Sequence, residues 1–374
     1  MKMKFTIEKA VLLKTLSHVQ NIVEKRNTVP VLSNVRIEAA NDGISFKATD
    51  MDTEITEIVD AKILENGAIT APAHMLYDIV RKLADGADVE LVYPDEKDQL
   101  SIASGRSKFS LSTIGVEDFP VISADALPTN FEMKRDELKD VIDRTQFAAS
   151  TEETRYYLNG LYIHPKDEGE TKVLRIVATD GHRLACVESP LPEGAANMQG
   201  VILPRKTVAE IRKLLDDTDA ESIKIGLSDS KVRFTLEDIT LASKLIDGTY
   251  PDYERVIPTN NTKILELNVK ELAKAVDRVS VVAERTRAIK MIANKNHVII
   301  TTSSPDLGSA IEEMEAAYDA ESLEVGYNFR YLLDILAEIK GETAQFSFSD
   351  SSSPSIIHDT SDASAIYVLM PMRV

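Results

Sequence analysis

The chain has 374 residues, of which 43% are hydrophobic and 28% are charged, a composition typical of a folded globular protein. At ~150 residues per domain, this length predicts two or three domains. Lysine and arginine number 43 against 61 aspartates and glutamates, and the formal net charge of −18 argues against a basic DNA-coating protein and against an anionic membrane partner. Nucleic acid remains a compatible partner if the basic side chains gather on one face.

Cysteine usage and the N-terminus indicate a cytoplasmic protein. Cys186 is the single cysteine, so we expect neither an intramolecular disulfide nor a cysteine-based zinc site. The basic start at residues 1–4 is followed by Glu8, Lys9 and Lys14, which interrupt any apolar stretch of signal-peptide length. Because no apolar run of about 18 residues occurs, we expect no membrane segment.

The predicted elements repeat along the chain. Residues 5–12, 131–138 and 265–272 each combine a short alternating strand with the start of a helix, at offsets of 126 and 134 residues. A second helix recurs around residues 78–79, 210–211 and 334–335, with Pro72 and Pro204 just ahead of the first two copies. Each second helix precedes a strand-like run, at residues 89–92, 223–225 and 345–348. We therefore predict three α+β domains, over residues 1–127, 128–259 and 260–374; the alternative is coincidental patterning in one large α/β enzyme.

A third landmark carries the most enzyme-like residues. The tripeptide Ala-Thr-Asp stands at 48–50 and again at 178–180, where Asp180 is followed by Gly181, His182 and Arg183. Asp180 and His182 could form an acid/base pair. The first copy has Met51 and Asp52 in the same places, however, which favours a structural turn. Nucleotide-loop, zinc-protease and nucleophile-elbow signatures are missing, and the histidines show no metal-ligand spacing.

Basic residues concentrate on the predicted helices despite the acidic total. This pattern is typical of a solvated helix face, or of one positive surface shared by the repeats. The set on the first helices is Lys9, Lys14, Lys134, Arg135, Lys139, Arg144, Lys270, Lys274 and Arg278. The set on the second helices is Arg81, Lys82, Arg205, Lys206, Arg212, Lys213, Arg330 and Lys340.

The C-terminal residues 367–374 are apolar almost to the end, whereas chain termini are usually polar and frayed. Such an end is expected to be held as a strand, to form part of a binding surface, or both. Its methionines suit an adaptable apolar pocket.

Five stretches make the whole chain resemble the bacterial DNA polymerase III β subunit family of sliding clamps. They are RYYLNG at 155–160, ATDGHRLA at 178–185, LPRK at 203–206, KLIDGTYPDYERVIP at 244–258 and MPMR at 370–373. The resemblance implies the DNA clamp fold: three α+β clamp domains per chain, each with two helices packed on antiparallel sheets, and a homodimeric six-domain ring. At ~10 Å per helix, twelve helices would leave a hole about 28 Å wide, and a B-form duplex about 20 Å wide, with grooves ~8 Å deep, fits through it.

The resemblance also implies binding residues and partners, and no catalytic residue, metal or cofactor. A pocket for Gln-Leu-x-Leu-Phe-like peptides of polymerases, clamp-loader subunits and repair proteins would use Leu158, Thr179, Gly181, His182, Arg183, Leu184, Pro251, Arg255, Val256, Val368, Met370, Pro371, Met372 and Arg373. Contacts with duplex DNA would come from Arg26, Tyr156, Tyr157, Arg205 and Lys206, although Glu152 stands close to the tyrosines. Phe109 and Leu111 of one chain would face the region of Val281 in the other.

Our leading hypothesis is a non-enzymatic processivity clamp that an ATP-dependent loader places on DNA. Two rival hypotheses are an enzyme that uses Asp180 and His182 and a monomeric repeat scaffold that binds only proteins.

Overall fold

The computed structural model describes residues 2–25, 28–40, 43–94, 98–120, 122, 126–169, 171–283 and 285–373. Every strand pairing among these residues is antiparallel. The first repeat contains β1 (Met3–Glu8), α1 (Lys9–Ile22), β2 (Asn34–Ala40), β3 (Gly43–Thr49), β4 (Thr53–Val59), β5 (Lys62–Glu65), β6 (Gly67–Pro72), α2 (Ala73–Arg81), β7 (Asp88–Tyr93), β8 (Gln99–Ser104) and β9 (Ser107–Ser112).

The second and third repeats follow the same order of elements. The second contains β10 (Thr129–Lys134), α3 (Arg135–Gln146), β11 (Gly160–Glu168), β12 (Thr171–Thr179), β13 (Arg183–Pro190), β14 (Val201–Pro204), α4 (Arg205–Asp217), β15 (Ser222–Leu227), β16 (Lys231–Leu236) and β17 (Ile239–Lys244). The third contains β18 (Lys263–Asn268), α5 (Val269–Ala283), β19 (Ala288–Asn294), β20 (His297–Ser304), β21 (Gly308–Glu315), β22 (Ala317–Tyr318), β23 (Leu323–Asn328), α6 (Phe329–Ala337), β24 (Thr343–Phe348), β25 (Ser355–Asp359) and β26 (Asp362–Leu369). Apart from the short additional strands β5 and β22, the three repeats match element by element, and the predicted three-fold repetition is confirmed.

The sheets run from one repeat into the next. β17 of the second repeat pairs with β4 of the first, which gives an eight-stranded sheet. β26 of the third repeat pairs with β13 of the second, which gives a nine-stranded sheet. The order β5-β1-β7-β8-β9 leaves β9 at an edge, and the order β21-β20-β19-β23 leaves β21 at an edge.

This continuity also defines two compact units. One unit comprises Met1–Asp136 and Ala209–Leu245, and the other comprises Glu137–Val208 and Ile246–Val374. Each unit therefore contains one terminal repeat and part of the central repeat. In both units the alternating strands turn one face of apolar side chains inward, as with Phe5 on β1 and Phe346 on β24, which are fully buried.

A buried histidine lies beside the β4–β17 pairing in the first unit. Nδ1 of His18, on α1, lies 2.7 Å from Oε2 of Glu57 on β4, and its Nε2 lies 3.3 Å from Oδ2 of Asp217 at the end of α4. Thr15 donates its hydroxyl to the other Glu57 oxygen at 2.8 Å. Burial alone would lower the pKa of His18, but the Glu57 and Asp217 carboxylates outweigh burial and raise this pKa above its ordinary value of 6.5.

The His18 cluster gives a pH-dependent stability. The pKa of His18 is higher in the folded than in the unfolded chain, so protonated His18 stabilises the fold. This stabilisation is complete below about pH 6.5 and is lost as the pH rises through the folded-state pKa of His18. We expect His18→Gln to lower the free energy of unfolding by about 2 kcal/mol at pH 6, and by less at pH 9. Urea unfolding of both proteins across this range measures the difference. His74→Gln is the matched control, since His74 lies near an amide and a backbone carbonyl; a His18→Gln effect that grows with pH would contradict the assignment.

Candidate functional site

The turn between β12 and β13 is built by two side chains. The Thr179 hydroxyl donates to the Arg183 carbonyl at 2.6 Å and accepts from the Gly181 N–H at 3.1 Å. Oδ1 of Asp180 accepts the N–H groups of His182 and Arg183 at 2.9 and 3.0 Å. Oδ1 of the Asp180 carboxylate is therefore committed to the backbone.

The turn between β3 and β4 repeats these four hydrogen bonds. Thr49 bonds to the Thr53 carbonyl and the Met51 N–H, and Asp50 accepts the N–H groups of Asp52 and Thr53. Met51 has φ 80° and Gly181 has φ 87°, so both turns use a left-handed residue at the same place. The structural-turn interpretation of the Ala-Thr-Asp repeat is confirmed. Nothing in this geometry supports Asp180 and His182 as an acid/base pair.

Arg183 joins this turn to the third repeat. Its Nε lies 3.1 Å from Asp180 Oδ2, its Nη1 2.5 Å from Asp334 Oδ2 on α6, and its Nη2 donates to the Phe147 carbonyl at 2.6 Å. The guanidinium also lies 4.3 Å from the Tyr331 ring centroid and 5.1 Å from that of Phe147. Because these contacts engage the whole guanidinium, Arg183 acts as a positioning group for the surface around it.

The C-terminal tail, residues 370–373, lies next to the same turn. The Met370 N–H donates to the His182 carbonyl at 2.9 Å, and the Met372 N–H donates to the Gly326 carbonyl at 2.8 Å. Ahead of the tail, Leu369 pairs with Arg183 and Val368 with Leu184. The predicted terminal strand is confirmed as β26, and its pairing with the second repeat brings the tail to residues 181–183.

A buried apolar cluster lies beneath the turn and the tail. Three predicted pocket residues, Leu158, Leu184 and Val368, belong to it together with Val177, Cys186, Ile202, Tyr250 and Tyr253. Pro251, Val256, Met370 and Met372 are exposed, and Pro371 is half-buried. The structure thus brings Leu158, Leu184 and Val368 of the second and third repeats into one buried apolar cluster, with the bonded pair His182 and Met370 beside it. The cluster and the exposed apolar residues near it in sequence belong to the second unit.

A polar network holds the short helical turn Tyr253–Val256, which carries Arg255 and Val256. Arg175, almost fully buried, donates to Glu254 at 2.9 Å and to the Tyr253 hydroxyl at 3.3 Å. His164 Nε2 lies 2.8 Å from that hydroxyl. Burial and the neighbouring Arg175 charge lower the pKa of His164, so its ring is neutral at neutral pH. Arg255 itself is exposed and paired with Asp252 at 2.7 Å.

Sequence reasoning missed Tyr331 on α6. Its ring stacks on the exposed His182 ring, with centroids 6.1 Å apart, and covers the Arg183 guanidinium. Tyr331 lies three residues before Asp334, so both side chains lie on one face of α6. This spacing was the only sign in the sequence that Tyr331 belongs beside the turn.

The predicted DNA contacts differ in exposure. Tyr156 and Arg205 are exposed, while Tyr157 and Lys206 are half-buried. The two tyrosine rings meet edge to face with centroids 5.7 Å apart, and Glu152 pairs with Arg155 at 3.0 Å. Arg26 lies outside the described residues.

The predicted positive helix surface requires a correction. Lys9 is buried and donates to the Leu83 carbonyl at 2.7 Å and to Asp85 at 2.6 Å. Arg144 is buried and pairs with Asp140 and Asp362. Including these two cations in an exposed surface was wrong, because each is buried and paired with carboxylates within the fold. The other members that are exposed include Lys14, Lys134, Lys270 and Lys274.

Among the described residues, no group of three histidine, cysteine, aspartate or glutamate side chains could hold a metal ion. The described helices also include none that is long and apolar enough to cross a membrane.

Three copies of a two-helix unit, joined by sheets that cross from repeat to repeat, define the sliding-clamp class of proteins. Models of the N-terminal, central and C-terminal domains of the DNA polymerase III beta subunit match residues 3–123, 132–252 and 254–373. The chain belongs to the DNA polymerase III β subunit family.

Individual relatives match the sequence of this chain over their whole length. The chain is 50% identical to the beta sliding clamp of Caulobacter vibrioides over 373 residues and 35% identical to that of Escherichia coli K12 over 374, with all of each chain covered. A crystal structure of the Caulobacter crescentus clamp, with polyethylene glycol at a putative β-motif tethering region, superposes with a TM-score of 0.97, covering 100% of this chain and 99% of the other. A Bartonella birtlesii clamp bound to griselimycin, 44% identical, also gives 0.97 with both chains fully covered.

Membership of this family establishes the function at the level of the whole molecule. The chain is a DNA sliding clamp of replication: it encircles duplex DNA as a dimeric ring and tethers the DNA polymerase. It is a processivity factor and not a catalytic subunit, and the prediction that the chain is not an enzyme is confirmed by this family membership. The predicted fold class is confirmed by the three matching clamp domains.

Proposed function

We propose that the ring closes head to tail, with β9 of one chain pairing with β21 of the other. The observation that carries this proposal is a repeated junction. Within the chain, the last strand of the second repeat, β17, pairs with β4, and the last strand of the third, β26, pairs with β13. By position in their repeats, β9 matches β17 and β26, and β21 matches β4 and β13. Both β9 and β21 lie at sheet edges. The same strand pairing between two chains would therefore give every repeat an equivalent junction with the next.

The register follows from the two internal junctions. Leu241 pairs with Ile55, and Tyr367 pairs with Ala185. We followed the paired residues strand by strand from β1, β10 and β18 to the last strand of each repeat. Phe109 then occupies the position in the first repeat that Leu241 occupies in the second and Tyr367 in the third. By the same procedure Ala310 takes the position of Ile55 and Ala185. We therefore propose that Phe109 lies opposite Ala310 of the other chain.

Exposure and charge support this interface. Phe109 is 39% exposed, Ile311 69% and Val281 73%, so an interface here would remove large apolar side chains from water. Phe147, one repeat before Val281, contacts Tyr367 with ring centroids 5.9 Å apart, which supports an equivalent contact between Val281 and Phe109. In this register Arg106 meets Glu313, and Leu111 adds apolar surface beside Phe109.

The proposed DNA surface comprises Arg26, Tyr156, Tyr157, Arg205 and Lys206. Cations facing phosphates without reading bases would attract the duplex and still let the ring move along it. The exposed Tyr156 ring suits contact with a base or sugar. The acidic excess of the chain would keep DNA off the other surfaces.

The proposed partner site is the surface of the predicted pocket residues, which we call the peptide pocket: the floor at Leu158, Leu184 and Val368 and the rim around it. Its apolar floor and exposed methionines suit the leucine and phenylalanine of Gln-Leu-x-Leu-Phe-like segments. We propose that polymerases, clamp-loader subunits and repair proteins compete for it.

We also propose domain boundaries at 1–127, 128–259 and 260–374, and no bound cofactor. We further propose a cytoplasmic location, which the buried thiol of Cys186, the single cysteine, suits.

Small-angle X-ray scattering from the full chain at micromolar concentration tests the assembly. We expect twice the chain mass of 41.3 kDa and a distance distribution that fits a hollow disc. A single-chain mass that persists on concentration would contradict the ring and favour the monomeric scaffold.

A further inference from the structure

The third repeat contains a second concave site, which shares Met372 and Arg373 of the tail with the residues predicted for the peptide pocket. It is a cavity of about 530 Å³, a volume suited to a small group of side chains. Its lining includes Thr286, Lys290, Thr301, Ser303, Met372 and Arg373. Lys290 and Thr301 are direct partners on β19 and β20, on the face opposite the buried pair of Met291 and Ile300.

This cavity occupies the same place in the third repeat as the peptide pocket does in the second. The Arg205 N–H bonds to the Asn159 carbonyl at 2.9 Å, and the Phe329 N–H bonds to the Arg287 carbonyl at 3.0 Å, which aligns the two repeats residue by residue. In this alignment Thr286, Lys290, Thr301 and Ser303 stand where the second repeat has Leu158, Tyr162, Val177 and Thr179. Three positions that are apolar or aromatic in one site are thus hydroxyl or cationic in the other.

The side chains that line the cavity favour an anionic ligand. In the part of the lining that the structure describes, the two charged residues, Lys290 and Arg373, are cationic, in a chain whose net charge is −18. Lys290 has an ion-pair partner in Glu324 at 3.3 Å, but both side chains are at least one-third exposed, so this pair is weak and readily exchanged. Thr301 donates its hydroxyl to the Ala310 carbonyl, which leaves the cations and Ser303 to face a ligand.

The tail connects the two sites. Met370 is held by His182 beside the peptide pocket, and Met372 and Arg373, two and three residues later, line the cavity. A peptide seated in the pocket therefore needs only a short extension to reach the cavity.

We propose that the cavity binds acidic residues that flank the motif of a partner peptide, through Lys290 and Arg373. This proposal rests on the proposed function of the peptide pocket and adds a second recognition element to it. Carboxylates suit the site, because two cations and a hydroxyl donor line it, and the exposed Glu324 carboxylate that pairs with Lys290 is readily exchanged.

Fluorescence anisotropy with the full chain tests the proposal. The probes are a labelled Gln-Leu-x-Leu-Phe-type peptide, the same peptide with three glutamates added before or after the motif, and matched peptides with three glutamines. We expect one glutamate extension to tighten binding about three- to tenfold at low salt, and this gain to shrink in high salt. Lys290→Gln should remove the gain and leave binding of the unextended peptide unchanged.

Lys295→Gln is the matched control, since Lys295 is an exposed lysine in the β19–β20 turn, paired with Asp319 and outside the cavity. It should retain the full gain. A glutamate gain that is absent, or that survives in Lys290→Gln, would overturn the proposal. So would weaker binding of a labelled DNA duplex to Lys290→Gln than to Lys295→Gln, because the cavity would then serve phosphate. If the unextended peptide fails to bind, the peptide pocket itself is wrong.

Discussion

Replacing Phe109 by aspartate is expected to convert the dimeric ring into monomers. The substitution puts a carboxylate on β9, diagonally next to Glu312 of the opposite β21 in the proposed register, and removes an exposed aromatic ring from the contact. A cost of about 2 kcal/mol at each of the two identical interfaces weakens the dimer roughly a thousandfold. Sedimentation velocity at micromolar concentration should show the 41.3 kDa chain as the main species.

Leu64→Asp is the matched control for this prediction. Leu64 lies on β5, at the opposite edge of the same sheet, and is 53% exposed. It should leave the dimer intact, and both variants should unfold at temperatures close to that of the parent. A Phe109→Asp protein that sediments as a stable dimer would show that β9 does not form the interface.

Removing residues 370–374 is expected to abolish peptide binding, with a loss of at least about a hundredfold in affinity. The deletion leaves β26 intact, but removes the exposed methionine rim and the backbone bonds to His182 and Gly326. Burial of two methionine side chains against a peptide contributes roughly 3 kcal/mol, which is about two powers of ten. Anisotropy with a labelled Gln-Leu-x-Leu-Phe-type peptide measures the loss.

A finer version of this prediction compares two exposed methionines. Met370→Ala should weaken peptide binding about tenfold, whereas Met75→Ala on α2, which is also exposed, should not. Sedimentation of the truncated chain should still show a dimer, because the tail is remote in sequence from β9 and β21. If the truncated chain binds peptide as tightly as the full chain, the peptide pocket is wrong.

Much of the fold was predictable because its signals are local. The alternation and the 3.6-residue period at residues 5–12, 131–138 and 265–272 correspond to β1–α1, β10–α3 and β18–α5. The Ala-Thr-Asp pair predicted a shared turn, since threonine and aspartate side chains bond to their own nearby backbone.

Long-range features were not predictable in the same way. Leu241 pairs with Ile55, which is 186 positions away in the sequence. The alternation of apolar and polar residues along a strand is the same whichever strand becomes its neighbour, so it does not predict this pairing. Burial of Lys9 and Arg144 depends on carboxylates brought in by other elements, so their helix positions alone suggested exposure. Tyr331 needed the β13–β26 pairing before its stacking on His182 could be seen.

The central claim is that two chains form a closed ring around DNA, and retention on circular DNA tests it most directly. A clamp loader and ATP are used to place the labelled full chain on a nicked circular plasmid, which is separated from free protein by gel filtration in moderate salt. We predict that the chain stays with the circle and leaves within minutes once a restriction enzyme makes it linear. Equal retention on circular and linear DNA would show binding by affinity and contradict topological tethering.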